Sequence, residues 1–186
     1  MKQVLLIIDA QHELIEGNKE EQGVFEKEKL LTNINTVIEK AIKETISVVF
    51  VRDLDVSNGQ GPGFQIHQHI KVPSAAIIFD KAATNSFYGT PLLEHLHQNN
   101  IEHLVIMGCK TEHCIDTAVR TATVNHFDVT LVEDGHSTSN SKKLSAQQII
   151  QHHNTTLNGH YNVDNFSLVR NSKEDLFKPI HNTYRE

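Results

Sequence analysis

Five short runs of apolar, mostly β-branched residues recur along this chain of 186 residues, at positions 4–8, 46–51, 75–79, 103–107 and 129–132. Each is apolar throughout or nearly so, which suits strands covered on both faces, as in a parallel sheet. Between several of them lie segments with apolar residues at helical spacing. In 26–43, Leu30, Leu31, Ile34, Val37, Ile38 and Ile42 share one face, and similar patterns occupy 91–99 and 112–125. Alternation of the two periods predicts an α/β fold, a three-layer α/β/α sandwich on a mostly parallel sheet. Thr90 is placed to cap the second of these helices, with Pro91 at its first position, where a missing N–H costs nothing. A helix over 141–158 and a final edge strand at 166–169 complete the reading, as a single domain spanning residues 1–186.

The length allows one sizeable core, and an apolar share of 38% with 22% charged residues is that of an ordinary folded protein. A formal net charge of -6 without a Lys/Arg cluster argues against a nucleic-acid binder. The apolar run at the N-terminus meets Asp9 too early for a signal peptide or a membrane span, so no membrane association is expected and the cytoplasm is the expected location. In a reducing compartment the only two cysteines, Cys109 and Cys114, remain free thiols. Cys109 closes a buried strand, where packing is its expected role.

In an open parallel sheet the ligand site lies beyond the carboxyl ends of the strands. Asp9 ends the first run, Lys81 follows the third, and Cys114 comes just after the fourth, at the start of a helix. Topology therefore predicts that a carboxylate, an ammonium and a thiol converge. The first helical turn offers unpaired N–H groups and the positive end of the helix dipole, and with Lys81 nearby a lowered thiol pKa is expected. The same amides can hold an oxyanion. The loop 57–64, rich in glycine, is expected to lack regular structure and to lid the pocket, with Phe64 as an apolar wall. It lacks GxGxxG spacing, and no Gly-x-Ser-x-Gly elbow occurs, so neither a nucleotide loop nor a serine hydrolase is supported.

Several motifs stand in a telling order: Asp9-Ala10-Gln11 after an apolar strand, Lys81 followed by Ser86-Phe87-Tyr88-Gly89-Thr90, then Gly108-Cys109-Lys110-Thr111-Glu112-His113-Cys114. Over about its first three-quarters the chain resembles the isochorismatase-like cysteine hydrolases, a superfamily that includes nicotinamidases and N-carbamoylsarcosine amidases. The resemblance implies a Rossmann-like sandwich with a catalytic triad of Asp9, Lys81 and Cys114, acting on amides, ureido compounds or, in the namesake branch, a vinyl ether. It also implies a cis peptide between Lys110 and Thr111, an oxyanion hole from the N–H groups of Thr111 and Cys114, and a pocket for a small-molecule substrate that includes Gln11, Phe87 and Tyr88. Relatives are commonly dimers or tetramers, which implies a homo-oligomer.

The chain also departs from that pattern. Nicotinamidases hold a metal through Asp-x-His and a further histidine, whereas the matching stretch here is Arg52-Asp53-Leu54-Asp55, and His67-Gln68-His69 is a weak replacement among 13 histidines. No metal or cofactor is expected. Many relatives continue Asp-x-Gln with Asn-Asp-Phe, but here His12-Glu13-Leu14 follows, so part of the pocket wall differs. The leading expectation is an amide or ureido hydrolase with a nucleophilic Cys114. The alternatives are a vinyl-ether hydrolase that needs no thiol, and a catalytically silent binder on the same fold.

Overall fold

The computed structural model describes residues 1–185. Seven strands form one sheet: β1 (Gln3–Ile8), β2 (Ser47–Asp53), β3 (Ile77–Lys81), β4 (His103–Cys109), β5 (Asp128–Ser137), β6 (Tyr161–Asn162) and β7 (Asn165–Arg170). Their order is β3-β2-β1-β4-β5-β7-β6, and every pair is parallel except the β6/β7 hairpin. The sandwich expected from the alternating periods is present.

Successive residues of a strand face opposite sides, and the two buried clusters divide accordingly. Val4, Leu6 and Ile8 of β1 pack with Leu104 and Ile106 of β4 against α4 (Leu92–Gln98), α5 (Asp116–Val124) and α6 (Ala146–Leu157). Leu5 and Ile7 pack with Val105 and Met107 against α2 (Lys27–Lys43), through its Leu30, Leu31, Ile34, Val37, Ile38 and Ala41. Ile42, expected on that inner face, is 54% exposed instead. A strand buried on both faces has no polar positions to spare, which is why the run of β1 is apolar throughout and that of β4 holds one polar residue, His103, whose ring is met by Gln3 and Thr130.

Three elements differ from the expectation. The final edge strand expected over 166–169 is β7, which lies inside the sheet between β5 and the two-residue β6 that takes the edge. The third strand lies two residues later than expected and alternates in burial, because it is the sheet's edge: Ile78 is exposed, and Asp80 pairs with Arg52 of β2 at 2.8 Å on the open side. The loop 57–64 is largely ordered into a 3-10 turn, Val56–Gly59, and a single helical turn, α3 (Gly61–Phe64), in whose first turn Pro62 fits. The helix expected to begin at Pro91 starts one residue later, with Pro91 itself at the cap position, and the Thr90 hydroxyl accepts from the Leu92 N–H at 3.3 Å. The helix expected over 141–158 is α6, held at its start by a capping box between Ser145 and Gln148.

The chain winds from β1 outward to β3, then returns to place β4 on the other side of β1. That reversal opens a crevice at the carboxyl ends of β1 and β4. Close approach there depends on Gly108, whose φ is +126° and whose missing Cβ would stand 1.9 Å from the Ile8 carbonyl oxygen. Gly108→Ala is expected to cost at least about 2 kcal/mol, from a strained φ together with a backbone clash. In urea titration the midpoint should fall with the slope unchanged; an unaltered midpoint would contradict this packing.

Candidate active site

Asp9 follows β1 directly, with φ at +51° and its N–H donating to the Val51 carbonyl at 2.8 Å. Lys81 is the last residue of β3. Cys114 sits in a wide helical turn, Thr111–Ile115, that leads into α5, where the Ile115 N–H reaches back five residues to the Lys110 carbonyl at 3.3 Å. Such π-type turns are uncommon and concentrate at functional sites. The three residues expected to converge do so: Lys81 Nζ lies 3.0 Å from Asp9 Oδ2 and 3.4 Å from Cys114 Sγ.

A second carboxylate joins them. Asp53, at the end of β2, is ion-paired with the same ammonium, and ligand atoms of Asp9, Asp53 and Cys114 all lie within 4.8 Å of one another. In the sequence Asp53 stands out only within a metal motif that lacks its histidine; its pairing with Lys81 depends on β2 and β3 being neighbours. Although the Lys81–Asp9 distance is that of an ion pair, its direction is not that of a hydrogen bond. Neither Asp9 oxygen accepts one from the described residues.

Burial raises the Asp9 carboxyl from 3.8 to about 6, against the opposing pull of the Lys81 charge. Cys114 is pushed up to about 12 by burial and by the negative Asp9, which together outweigh Lys81. The expected lowered thiol pKa is thus corrected: burial, and after it the charge of Asp9, disfavours the thiolate more than the ammonium favours it. For Lys81 burial alone would favour the neutral amine, but Asp9, Cys114 and Asp53 reverse that and hold it protonated.

Thr111 is fixed by a chain that the sequence did not reveal. The His136 ring, buried in β5, contacts Thr111 Oγ1 through Nδ1 at 2.9 Å and Asn154 Oδ1 through Nε2 at 2.8 Å. Asn154 donates its amide N–H to the Glu133 carbonyl, so its oxygen is the acceptor for Nε2–H, and Nδ1 accepts from the threonine hydroxyl. Burial lowers the His136 pKa to about 4, which keeps the ring neutral in this role. Thirteen histidines gave no signal to single this one out. The cis peptide is also displaced from its expected place: it joins Cys109 to Lys110, while Lys110–Thr111 is not cis.

The crevice is a cavity of about 440 Å³ that Asp9, Asp53 and Cys114 line together. None of the expected pocket residues Gln11, Phe64, Phe87 and Tyr88 lines it. Gln11 is buried and bolts the loops together: its Oε1 accepts from the Asp53 N–H at 2.7 Å, and its Nε2 donates to the Phe64 carbonyl at 2.8 Å. Phe64 packs under the Arg52 guanidinium, Phe87 belongs to the core, and Tyr88 is 73% exposed. A wider hollow of about 610 Å³ between α2 and α6 holds Ser137, but that hydroxyl is taken up by the Phe25 carbonyl, and no thiol lines it.

The residues do not fit a metal. His67 has both ring nitrogens engaged, Nε2 with Glu16 and Nδ1 with the His69 N–H, which leaves no lone pair for a ligand bond. Among the described residues the one cluster of candidate donors, Asp9, Asp53 and Cys114, surrounds the Lys81 ammonium, so a cation already occupies the position a metal would need.

A family profile describing the isochorismatase domain matches residues 3–156. The chain belongs to the isochorismatase family, whose members are hydrolases. Within that family it is 28% identical over 138 residues to the uncharacterized isochorismatase family protein YrdC of Bacillus subtilis, covering 72% of each chain. An isochorismatase of Pseudomonas putida KT2440 superimposes with a TM-score of 0.79 at 27% identity, over 91% of this chain and 88% of that one. The N-carbamoylsarcosine amidase of Thermoplasma acidophilum shares the fold, with a TM-score of 0.74 at 22% identity over 94% and 98% of the two chains. Among the described residues of this isochorismatase-family chain, no helix is long and apolar enough to cross a membrane.

Two outcomes follow from the charge state of this site. With a thiol pKa near 12, alkylation of Cys114 by iodoacetamide should climb about tenfold per pH unit between pH 7 and 10, because only the thiolate reacts, and should outpace that of the fully buried Cys109. A plateau near neutrality would mean a lowered pKa. Because the folded pKa of Asp9 stands above its ordinary value, its stabilising contribution is present below about pH 4 and lost as pH rises through 6. Asp9→Asn should therefore match the wild type at pH 4 and be more stable at pH 8, by up to about 3 kcal/mol. Chemical denaturation at the two pH values checks the sign.

Proposed function

We propose that this chain hydrolyses the C–N bond of a small-molecule amide or ureido compound through a thioester on Cys114. The observation that carries the reading is a buried carboxylate, without a hydrogen-bond partner, beside a thiol at the wall of one cavity, with a lysine between them. An amidase among the structures that share the fold is consistent with it.

In the first half-reaction Asp9 takes the Cys114 proton as Sγ attacks the carbonyl carbon. A thiol with a pKa near 12 beside a carboxyl near 6 does not ionise in advance, so proton transfer accompanies attack. Backbone N–H groups of Thr111 and Cys114 receive the oxyanion, with Thr111 held by the neutral His136. The tetrahedral adduct collapses, the C–N bond breaks, and Asp9 returns its proton to the leaving amine. Asp9, again a carboxylate, then takes a proton from water, which attacks the thioester; the acid product leaves and the thiol regains its proton. Lys81 remains charged throughout and keeps Asp9 and Asp53 oriented.

One observation favours a second reading. A carboxyl with a pKa near 6 is partly protonated near neutrality, as general-acid hydrolysis of a vinyl ether requires, and that reaction needs no thiol. Cys114→Ala separates the two. On an amide substrate kcat should fall by at least about a thousandfold, the usual cost of losing a nucleophile. Retained vinyl-ether hydrolysis with no amidase activity in either protein would favour the second. In the amidase reading kcat/KM rises with pH to a limit, half-maximal near pH 6, since Asp9 must be ionised to act as the base. A pH–rate profile that falls through that range would contradict the role.

A further inference from the structure

The acids and bases around the catalytic cavity do not balance. Lys81 is shared by Asp9 and Asp53. Of the two basic groups at the rim, Lys110 is ion-paired with Glu21, and His113 has Glu112 within 3.8 Å. Two further carboxylates on the cavity wall, Glu13 and Asp55, have no cationic partner within ion-pair distance among the described residues.

Glu13 is held in place. Asn18 Nδ2 donates to its Oε1 at 3.1 Å, and the Ser57 hydroxyl donates to its Oε2. Those hydrogen bonds, Ser57's foremost, keep its pKa below the usual carboxylate value, so the group is charged. Gly63 leaves room for it, since a Cβ there would stand 2.8 Å from Oε2. Asp55 is exposed at the same mouth. Deeper in the cavity Asp9, 1% exposed and with neither oxygen accepting a hydrogen bond, faces the same space. Only Leu14 and Val56 offer sizeable apolar wall. Fixed carboxylates outnumber fixed cations from mouth to floor, so a cationic ligand gains and an anionic one is repelled.

We propose that the cavity selects amides bearing an ammonium or guanidinium group near the scissile bond, with Glu13 and Asp55 as the anchoring pair, and discriminates against substrates bearing carboxylates. This rests on the amidase reading for its chemistry, but the binding preference can be read without turnover. Glu13 and Cys114 line the same cavity, so a cation seated against Glu13 leaves the carbonyl to the thiol. Carboxylate-bearing ureido acids and isochorismate-like diacids would instead meet Glu13, Asp55 and Asp9 in succession.

Three amides of matched length provide the test: 6-aminohexanamide (cationic), hexanamide (neutral) and the monoamide of adipic acid (anionic). Each is titrated as a protectant of Cys114 against iodoacetamide, read by mass spectrometry of the Cys114 peptide, and ammonia release is measured separately. The cationic amide should half-protect at a concentration at least about tenfold below the neutral one, with the anionic amide weakest, and salt should narrow the gap. Asp55→Asn, at an exposed position, should weaken protection by the cationic amide more than by hexanamide; Glu13→Gln should narrow the gap between the two further. Equal protection by the neutral or anionic amide, no protection by the cationic one, or a preference surviving both substitutions together would overturn the proposal. Ranked protection without ammonia release would sink the amidase reading and leave the charge preference standing; equal ammonia release from all three would do the reverse.

Discussion

A lysine ammonium removed from water is costly unless carboxylates meet it, and in this chain two do. Lys81 is 1% exposed, ion-paired with Asp53 and 3.0 Å from Asp9, with Cys114 Sγ 3.4 Å away. Losing both carboxylates would strand the ammonium in the interior. This one contact draws together the ends of β1, β2 and β3 and the turn after β4, so the site and the sheet edge stand or fall together. It also sets the proton positions: the lysine stays charged, the thiol keeps its proton, and Asp9 is left near the point at which a carboxyl can both accept and give one.

The reversal of strand order makes that contact available. β1 lies between β2 and β4, so residues leaving β1 and β4 face a shared crevice, while the length of a lysine side chain spans the distance from β3. Gly108 permits β4 to run close to Ile8 at that point, and the Thr111–His136–Asn154 chain ties the turn that carries Cys114 to β5 and α6. The layer of packed side chains behind the site is apolar; the wall in front is acidic. Rigidity thus comes from one face of the crevice and negative charge from the other.

Much of this was legible in advance, for identifiable reasons. Apolar runs covered on both faces leave a pattern that little else produces, so β1, β2, β4 and β5 stand close to where they were expected. The edge strand β3 was misplaced because an edge needs only half of that pattern, and its Asp80 broke the run. Asp9, Lys81 and Cys114 could be nominated from strand ends alone. Gln11, Phe64, Phe87 and Tyr88 could not be placed, because motif membership does not say which way a side chain turns: one became a bolt between loops, two were packed away, and one faces water.

The chain's order of periods and motifs determined, by itself, the α/β class, the family and the three residues that meet at the strand ends, since all of these are written in local spacing. The tertiary structure alone decided the second carboxylate on Lys81, the raised thiol pKa, the cis peptide at Cys109–Lys110, the neutral His136 support and the acidic lining. Each of these depends on distances between residues far apart in the chain, or on how completely a charge is withdrawn from water. Neither quantity exists until the sheet has closed around them.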